Sequence, residues 1–258
     1  MAHALGVDIG GTGIKAAVVD TATGELVTER LKLPTPVGGE PSAIVNTVLT
    51  LIDKLGGIAE EVPVGICFPA VVKNGRTLSA ANVSRKWIGL EAEALFEKGL
   101  GRGIHFVNDA DAAGYAETRY GAAVGVNGLV ILTTLGTGIG SALLYDGVLI
   151  PNSELGHLII DGRDAERRAS FAAKERYRLS WHSWAKRLQR YYSYLEELFS
   201  PDLLIVGGGV SKSHDLFLPL LKLKTPIIPA VHRNNAGILG AAALAVPTTL
   251  AAGTLSIE

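Results

Sequence analysis

Two stretches of this chain read almost alike. GTGIKAAVV (Gly11–Val19) and GTGIGSALL (Gly136–Leu144) match at five of nine positions. Each follows an apolar run, and each continues into another apolar run and a turn, TATG in one case and YDG in the other. A strand, a glycine turn and a second strand therefore occur twice. That pattern predicts two related halves, each presenting a glycine hairpin to a shared cleft. Alternating apolar runs and helix-period runs over the rest of the chain fit an α/β architecture. The expected strands are LGVDIG, GIKAAVVD, LVTERLKL, VPVGICFP, GIHFVND, GLVILTTLG, GIGSALLYD and PDLLIVGGG; the expected helices are SAIVNTVLTLIDKLG, LEAEALFEKGL, DADAAGYAETRYG, SWHSWAKRLQRYYSYLEELF and AGILGAAALA.

The surroundings of the first glycine turn narrow its chemistry. Gly6 and Gly11 have P-loop spacing, but Thr12 stands where that loop needs lysine. Gly11, Gly13 and Ala16 satisfy a dinucleotide fingerprint formally, yet that motif must open a helix, and IKAAVVD followed by TATGEL reads as strand and turn. What remains is a hairpin whose backbone N–H groups face phosphate oxygens, with glycines allowing close approach. Asp8 just before the turn suits a hydrated Mg²⁺ travelling with the phosphates, reached through water. Gly10, Gly11, Thr12, Gly13 and Lys15 are the phosphate candidates on this side, and Gly136, Thr137 and Gly138 on the other.

The set DIGGTGIK, VNDADAAG, LGTGIGSAL, ELGH and VGGGVS, in this order, resembles the ROK branch of the sugar kinase/Hsp70/actin superfamily. The resemblance covers nearly the whole chain. It implies two ribonuclease-H-like α/β domains flanking a cleft, expected over residues 1–109 and 110–258 with the final helix able to pack back on the first. It also implies that sugar and phosphoryl donor meet in that cleft.

VNDADAAG follows the strand GIHFV, so Asn108, Asp109 and Asp111 emerge at a strand's carboxyl end, where open α/β sheets bind ligands. A hydroxyl attacking phosphorus needs a carboxylate to take its proton. Asp109 is the expected base, as the matching aspartate is in the resembling kinases, with Asn108 a hydroxyl ligand and Asp111 the N-cap of the next helix. The resemblance further implies that Glu154 and His157 of ELGH, Glu166 of DAERRAS and Asn82 of SAANVSRKW bind sugar, with Trp87 packed beneath the Asn82 loop. Gly207, Gly208 and Gly209 match a cluster that borders adenosine in ATP-using relatives.

Most ROK members carry a cysteine-rich zinc motif after ELGH. This chain has one cysteine, Cys67, inside an apolar run, so those ligands have no counterpart and no structural zinc is expected. This departure, with AERRAS and LEELFSPDLLIVGGGVSK, resembles the polyphosphate-dependent glucokinases of the family. The expected acceptor is glucose or a related hexose such as mannose; the expected donor is inorganic polyphosphate, ATP or both. Polyphosphate would need extra cations, for which Lys15, Lys73, Arg76, Arg85, Lys86, Arg167, Arg168 and Lys174 are candidates.

Composition sets the remaining bounds. With 258 residues and 48% hydrophobic content the chain can bury a full core. A net charge of -1 argues against a nucleic-acid partner. No run reaches the ~20 apolar residues of a membrane span, and the first residues lack signal-peptide character. A cytoplasmic enzyme is expected, and the family resemblance suggests a homodimer. Sugar-sensing regulators related to these kinases carry a DNA-binding segment ahead of the hairpin, whereas here the first strand is reached by residue 5. The stripe of Trp181, Trp184, Leu188, Tyr191, Leu195 and Leu198 recurs at helical spacing and is expected to be core or a dimer seam.

Overall fold

The computed structural model describes residues 3–246. The first half builds one sheet from β1 (His3–Ile9), β2 (Gly13–Asp20), β3 (Glu25–Leu26), β4 (Leu31–Pro34), β5 (Val64–Phe68) and, after the small hairpin β6 (Val72–Lys73) and β7 (Arg76–Thr77), β8 (His105–Asn108). Its order is β3-β2-β1-β5-β8, with β4 also paired to β2. The first pairings are antiparallel, whereas β1–β5 and β5–β8 are parallel. The second half uses β9 (Leu129–Leu135), β10 (Ile139–Tyr145), β11 (Val148–Ile150), the hairpin β12 (Ile159–Ile160) and β13 (Arg163–Asp164), then β14 (Leu203–Gly207) and β15 (Ile227–Pro229). Its sheet runs β11-β10-β9-β14-β15, again antiparallel first and parallel after. The two glycine stretches of the sequence occupy the same place in each sheet. Ile14 and Ile139 open the return strands, and Gly10 lengthens the first turn by one residue relative to the second.

LVTERLKL is not one strand. It supplies Leu26 at the end of β3 and Leu31–Leu33 of β4, both on β2, with residues 27–30 between them leaving the ladder. Alternating apolar residues suggested continuous pairing, but β2 offers one edge and the chain bends to meet it twice.

The helices are α1 (Pro41–Leu55), α2 (Ile58–Glu61), α3 (Ala92–Leu100), α4 (Asp109–Tyr120), α5 (Glu166–Ala169), α6 (Phe171–Arg176), α7 (Trp181–Phe199) and α8 (Ala236–Ala245). α1 opens on Pro41, whose missing N–H is no loss in a first turn, and buries Ile44, Val45, Val48, Leu51 and Ile52 along one face. α7 is capped by the Ser180 hydroxyl accepting the Ser183 N–H, and buries Trp184, Leu188, Tyr191 and Leu195 in the core of the second half. Most of the stripe is therefore core, while Leu198 at its end is exposed. None of the described helices is long and apolar enough to cross a membrane.

α8 is apolar on every side and is buried on every side. It crosses β1, β5 and α4, and its backbone meets theirs directly. A Cβ on Gly6 would overlap the Ile238 carbonyl, one on Gly65 the Ala241 carbonyl, and one on Gly240 the Ala112 carbonyl. α4 in turn leaves the first sheet and lies on β10 and β9 of the second. One core therefore joins Ala4, Ala17 and Val19 of the first sheet to Val130, Leu132 and Leu144 of the second, through Ala116 and Ile238 of the two helices.

These contacts predict that Gly65→Ala or Gly240→Ala costs about 3 kcal/mol or more of unfolding free energy, because rigid backbone must move to admit one methyl. Gly103→Ala, which would meet only a Glu97 carboxylate oxygen at 3.7 Å, is expected to be near neutral. Urea denaturation of the three variants checks this.

Candidate active site

Asp8 lies one residue from the end of β1 and pairs across the hairpin with Lys15. Directly opposed residues share a face of the sheet, and Lys15 Nζ reaches Asp8 Oδ2 at 2.7 Å. Behind them Cys67 is fully buried, with Sγ 3.7 Å from Asp8 Oδ1 and 3.6 Å from the Gly237 carbonyl. Burial, with the Asp8 charge next in weight, pushes its thiol well up. The apolar run that holds Cys67 in the sequence is thus a buried strand. Gly237, in the first turn of α8, must be small, since a Cβ would sit 2.9 Å from Asp8 Cγ.

At the end of β8, Asn108 rather than Asp111 caps α4. Asn108 Oδ1 accepts the N–H groups of Ala110 (2.8 Å) and Asp111 (3.0 Å), and its Nδ2 donates to the Ala70 carbonyl. One amide proton of Asn108 is left for a ligand. Asp111 sits one turn too deep to cap. It is fully buried, its Oδ2 accepts the Asn152 N–H at 2.7 Å, and its Oδ1 has no hydrogen-bond partner among the described residues. Burial raises its carboxyl to about 7, with the Glu154 charge adding to the effect and the Asn152 N–H opposing it.

Asp109 is partly open to the cleft. Burial, then the negative charge of Asp8, raise its carboxyl to about 7; the Ala110 N–H pulls the other way, and Glu154 and Asp111 add smaller upward pushes. A carboxylate with this affinity for protons is matched to general-base work near neutral pH.

Glu154 and His157 lie 3.8 Å apart at their nearest nitrogen and oxygen. Asp164, which sequence reading passed over, accepts from or shares a proton with His157 Nδ1 at 3.0 Å, and its other oxygen accepts the Arg167 N–H. That hydrogen bond to Asp164 raises the His157 imidazole above its usual value against the pull of burial, and fixes Nδ1 so that Nε2 faces Glu154. Burial raises Glu154 as well, with His157 opposing and the Glu166 charge adding. Glu166 Oε2 accepts the Ile139 N–H at 2.9 Å and fills the space beside Gly138. Glu166 thus braces the second hairpin.

A cavity of roughly 140 Å³ lies between the halves. Its walls include Asp8 and Asp109, Thr134 at the end of β9, Gly207 and Gly208 at the end of β14, and Arg233. Gly208 has φ +81° and lies so near Leu135 that a Cβ would fall 2.5 Å from its carbonyl oxygen, so glycine is required there. Arg233 is the second residue missed. The loop before it is held by Glu117, a buried carboxylate that accepts the N–H groups of Val231 (3.1 Å) and His232 (2.9 Å). Arg233 stands in the turn HRNNAG before an apolar helix, a signal that a cation was being placed at a helix start.

The structure therefore groups Asp8, Asp109, Gly207 and Gly208 around one cavity, with Lys15 outside its lining but paired to Asp8, and sets Glu154, His157 and Glu166 beside the second hairpin, where the Glu154 charge is felt at Asp109. Asn82, with φ +60°, packs against Gly11 of the first hairpin, and Trp87 is buried with its indole N–H on the Gly39 carbonyl. Thr12 and Thr137 are exposed at the tips of the two turns. Gly209 follows the cavity's glycine pair but does not line it. Of the cation candidates, Arg76 pairs with Glu91, Lys86 with Glu40, and Lys174 stacks over Trp181, so none of these shares the cavity.

The cavity's oxygen donors suit a hard cation. Among the described residues no three His, Cys, Asp or Glu converge as a cage, so Mg²⁺ here would complete its shell from water and donor phosphates, as this ion usually does.

The profile of the ROK family matches residues 4–175. The chain belongs to the ROK family. It is 44% identical to a polyphosphate glucokinase of Mycobacterium tuberculosis (strain CDC 1551 / Oshkosh) over 96% of this chain and 92% of that protein. The crystal structure of an inorganic polyphosphate/ATP-glucomannokinase from Arthrobacter sp. strain KM superposes with a TM-score of 0.90 at 51% identity, covering 95% of this chain and 98% of that one. A ROK family glucokinase from Streptomyces griseus, solved with glucose and AMPPNP, gives 0.81 at 25% identity over 94% and 99%.

The buried Asp111 makes a prediction about stability. Its carboxyl is raised from an ordinary 3.8 to about 7 in the fold, so the folded state holds a proton that the unfolded state releases between those values. Stability contributed by this group is present below about pH 4 and is lost as pH rises to about 7. Asp111→Asn, which keeps an oxygen for the Asn152 N–H, is expected to raise stability at pH 8 and to leave it nearly unchanged at pH 4. Denaturation at both pH values checks the sign.

Proposed function

We propose that this protein is a hexose 6-kinase that transfers the terminal phosphoryl group of inorganic polyphosphate or ATP to the 6-hydroxyl of glucose, with mannose as a second acceptor. The observation that carries the reading is Asp109, a carboxylate at the junction of the donor cavity and the Glu154–His157 group, raised to about 7. The names of the relatives support the choice of donors and acceptors.

Glucose lies with its hydroxyls on Glu154, His157, Glu166 and the free amide proton of Asn108, and Asn82 closes the site from the first hairpin. Asp109 accepts the proton of the 6-hydroxyl as that oxygen attacks phosphorus in line. The backbone N–H groups of Gly10–Gly13 and Gly136–Gly138 receive the phosphate oxygens, Arg233 offsets their charge, and Lys15 acts through its pairing with Asp8. Mg²⁺, held by Asp8 through water, would supply further neutralisation of the transferring group. Gly207–Gly209 face the nucleoside when ATP is the donor. The domains, divided between residues 109 and 110, close over bound sugar and so exclude water from the phosphoryl group.

Glucose 6-phosphate formation with Mg²⁺ and nucleotide-free long-chain polyphosphate tests the donor reading directly; product is expected from it and from ATP. Product from ATP alone would restrict the enzyme to nucleotide. Asp109→Asn is expected to lower kcat by about 10²–10⁴-fold with glucose binding retained; turnover within a few-fold of the parent would remove Asp109 as the base.

The base must be ionised to act. The acidic limb of kcat/KM should therefore fall tenfold per pH unit below about 7 and level off above it, following the raised Asp109. A profile flat down to pH 5 would contradict this.

A further inference from the structure

A second cavity, of roughly 210 Å³, lies between α5 and α7, away from the cleft. Its walls carry Arg168, Lys186 and Arg187, together with Arg190 and its partner Asp161 at 2.9 Å, a carboxylate that also feels the Arg168 charge and leaves the lining with a net positive charge. Arg163 and Arg176 lie near enough for their charges to be felt at Arg187, whose guanidinium is held below its usual range first by burial and then by Arg168 and these two. Among the described residues no carboxylate forms an ion pair with Arg163, Arg168, Arg176, Lys186 or Arg187. The guanidiniums of Arg176 and Arg187 lie 4.9 and 4.8 Å from the Tyr177 ring centre, a contact that restrains both. Tyr191 also lines the cavity, and its hydroxyl is buried with no hydrogen-bond partner among the described residues. More cations than carboxylates gathered around one cavity, beside an unanswered buried hydroxyl, suit an anion of several charges.

The position of the cavity says which anion. The segment from Glu166 to Ala172 backs onto the second glycine hairpin, with Glu166 on the Ile139 N–H and the Ala172 N–H on the Gly136 carbonyl at 3.0 Å. The other side of the same segment faces α7, where Trp184 donates to the Ala169 carbonyl and Arg187 to the Arg168 carbonyl. Hairpin and cavity are the two sides of one short stretch of chain. We propose that this cavity anchors the distal, non-reacting phosphates of a polyphosphate chain whose terminal phosphate lies at Asp109. ATP ends in a nucleoside and has no phosphates to place there, so the site acts on long-chain donors alone. This rests on the donor reading given above.

Lys186→Glu and Arg168→Gln test it. Lys186 is exposed and makes no ion pair among the described residues, so its replacement leaves the fold intact. For each variant the KM for long-chain polyphosphate is expected to rise on the order of tenfold, the loss of one charge-assisted contact. The KM values for ATP and tripolyphosphate should not move, and the slope of log KM against log salt for the long chain should fall by about one. A parental KM for the long chain, or an equal rise for all three donors, overturns the anchoring site while leaving the enzyme a polyphosphate kinase. Wild-type enzyme that uses ATP and not polyphosphate overturns the donor reading instead. Gel retardation of a single-stranded RNA oligonucleotide, lost in Lys186→Glu while the long-chain KM stays parental, would make the patch a nucleic-acid surface.

Discussion

The fold depends on backbone touching backbone at α8. Gly6 of β1, Gly65 of β5 and Gly240 of α8 itself remove the side chains that would otherwise hold these elements apart. The helix can then serve as a shared wall, with one face on the first sheet and another on α4, which lies on the second. Two sheets that could each have closed separate cores are joined through Ala116, Ile238 and their neighbours. The same close approach brings the start of α8 down onto Asp8, where Gly237 leaves room for the carboxylate. The site's geometry at Asp8 is therefore inherited from a packing constraint that runs from one end of the helix to the other.

The electrostatics follow from that closeness. Asp8 comes from the first sheet, Asp109 from the start of α4, and Glu154 from the stretch after β11, and each of the other two charges raises the affinity of Asp109 for a proton. Burial is the largest of these causes, so the proton affinity of Asp109 is set chiefly by how tightly its surroundings enclose it. Opening the cleft would rehydrate Asp109 and separate it from its acidic neighbours, lowering its basicity. Enclosure and proton affinity are thus linked through one carboxylate. Lys15 lies against Asp8 at 2.7 Å and places a positive charge beside this acidic pair.

Much of this was legible in the sequence because it is written in local pattern. The repeated GTGI fixes two hairpins, and strand ends followed by Asn108-Asp109 or by Gly207-Gly208 mark where a parallel sheet opens. What was not legible depends on partners distant in the chain. Asp111 looked like a helix cap, yet Asn108 one turn earlier holds the N–H groups, and Asp111 instead meets the Asn152 backbone 41 residues away. Arg233 reaches the cavity only because Glu117 holds the loop before it from 114 residues away. Asp164 stood two residues from Glu166, within a stretch already singled out, but its bond to His157 needs the β12–β13 hairpin to fold back. Cation candidates were the least readable of all: Arg76 finds Glu91, Lys86 finds Glu40 from a distant part of the chain, and an excess of cations collects around α5 and α7.

The sign of charge in the cleft constrains how a phosphate donor can enter. Asp8 and Glu154 lie close enough to Asp109 for their charges to be felt there, and a bare polyanion entering this part of the cleft would meet repulsion from all three. Lys15 is already committed to Asp8 at 2.7 Å, which leaves Arg233 and the N–H groups of two glycine hairpins as the protein's own counterweight. Such a site admits a donor whose charge is largely neutralised before it arrives, which is the state of a magnesium-bound phosphate chain. It also explains why an excess of arginine lies outside the cleft and not within it. Cations packed beside Asp109 would lower its proton affinity and weaken the base, whereas cations on the far side of α5 can hold a long donor without disturbing the chemistry. With Asp109 as the proposed base and the cavity between α5 and α7 as the proposed anchor, this separation of charge would let one fold keep a strong base and still bind a polyanion.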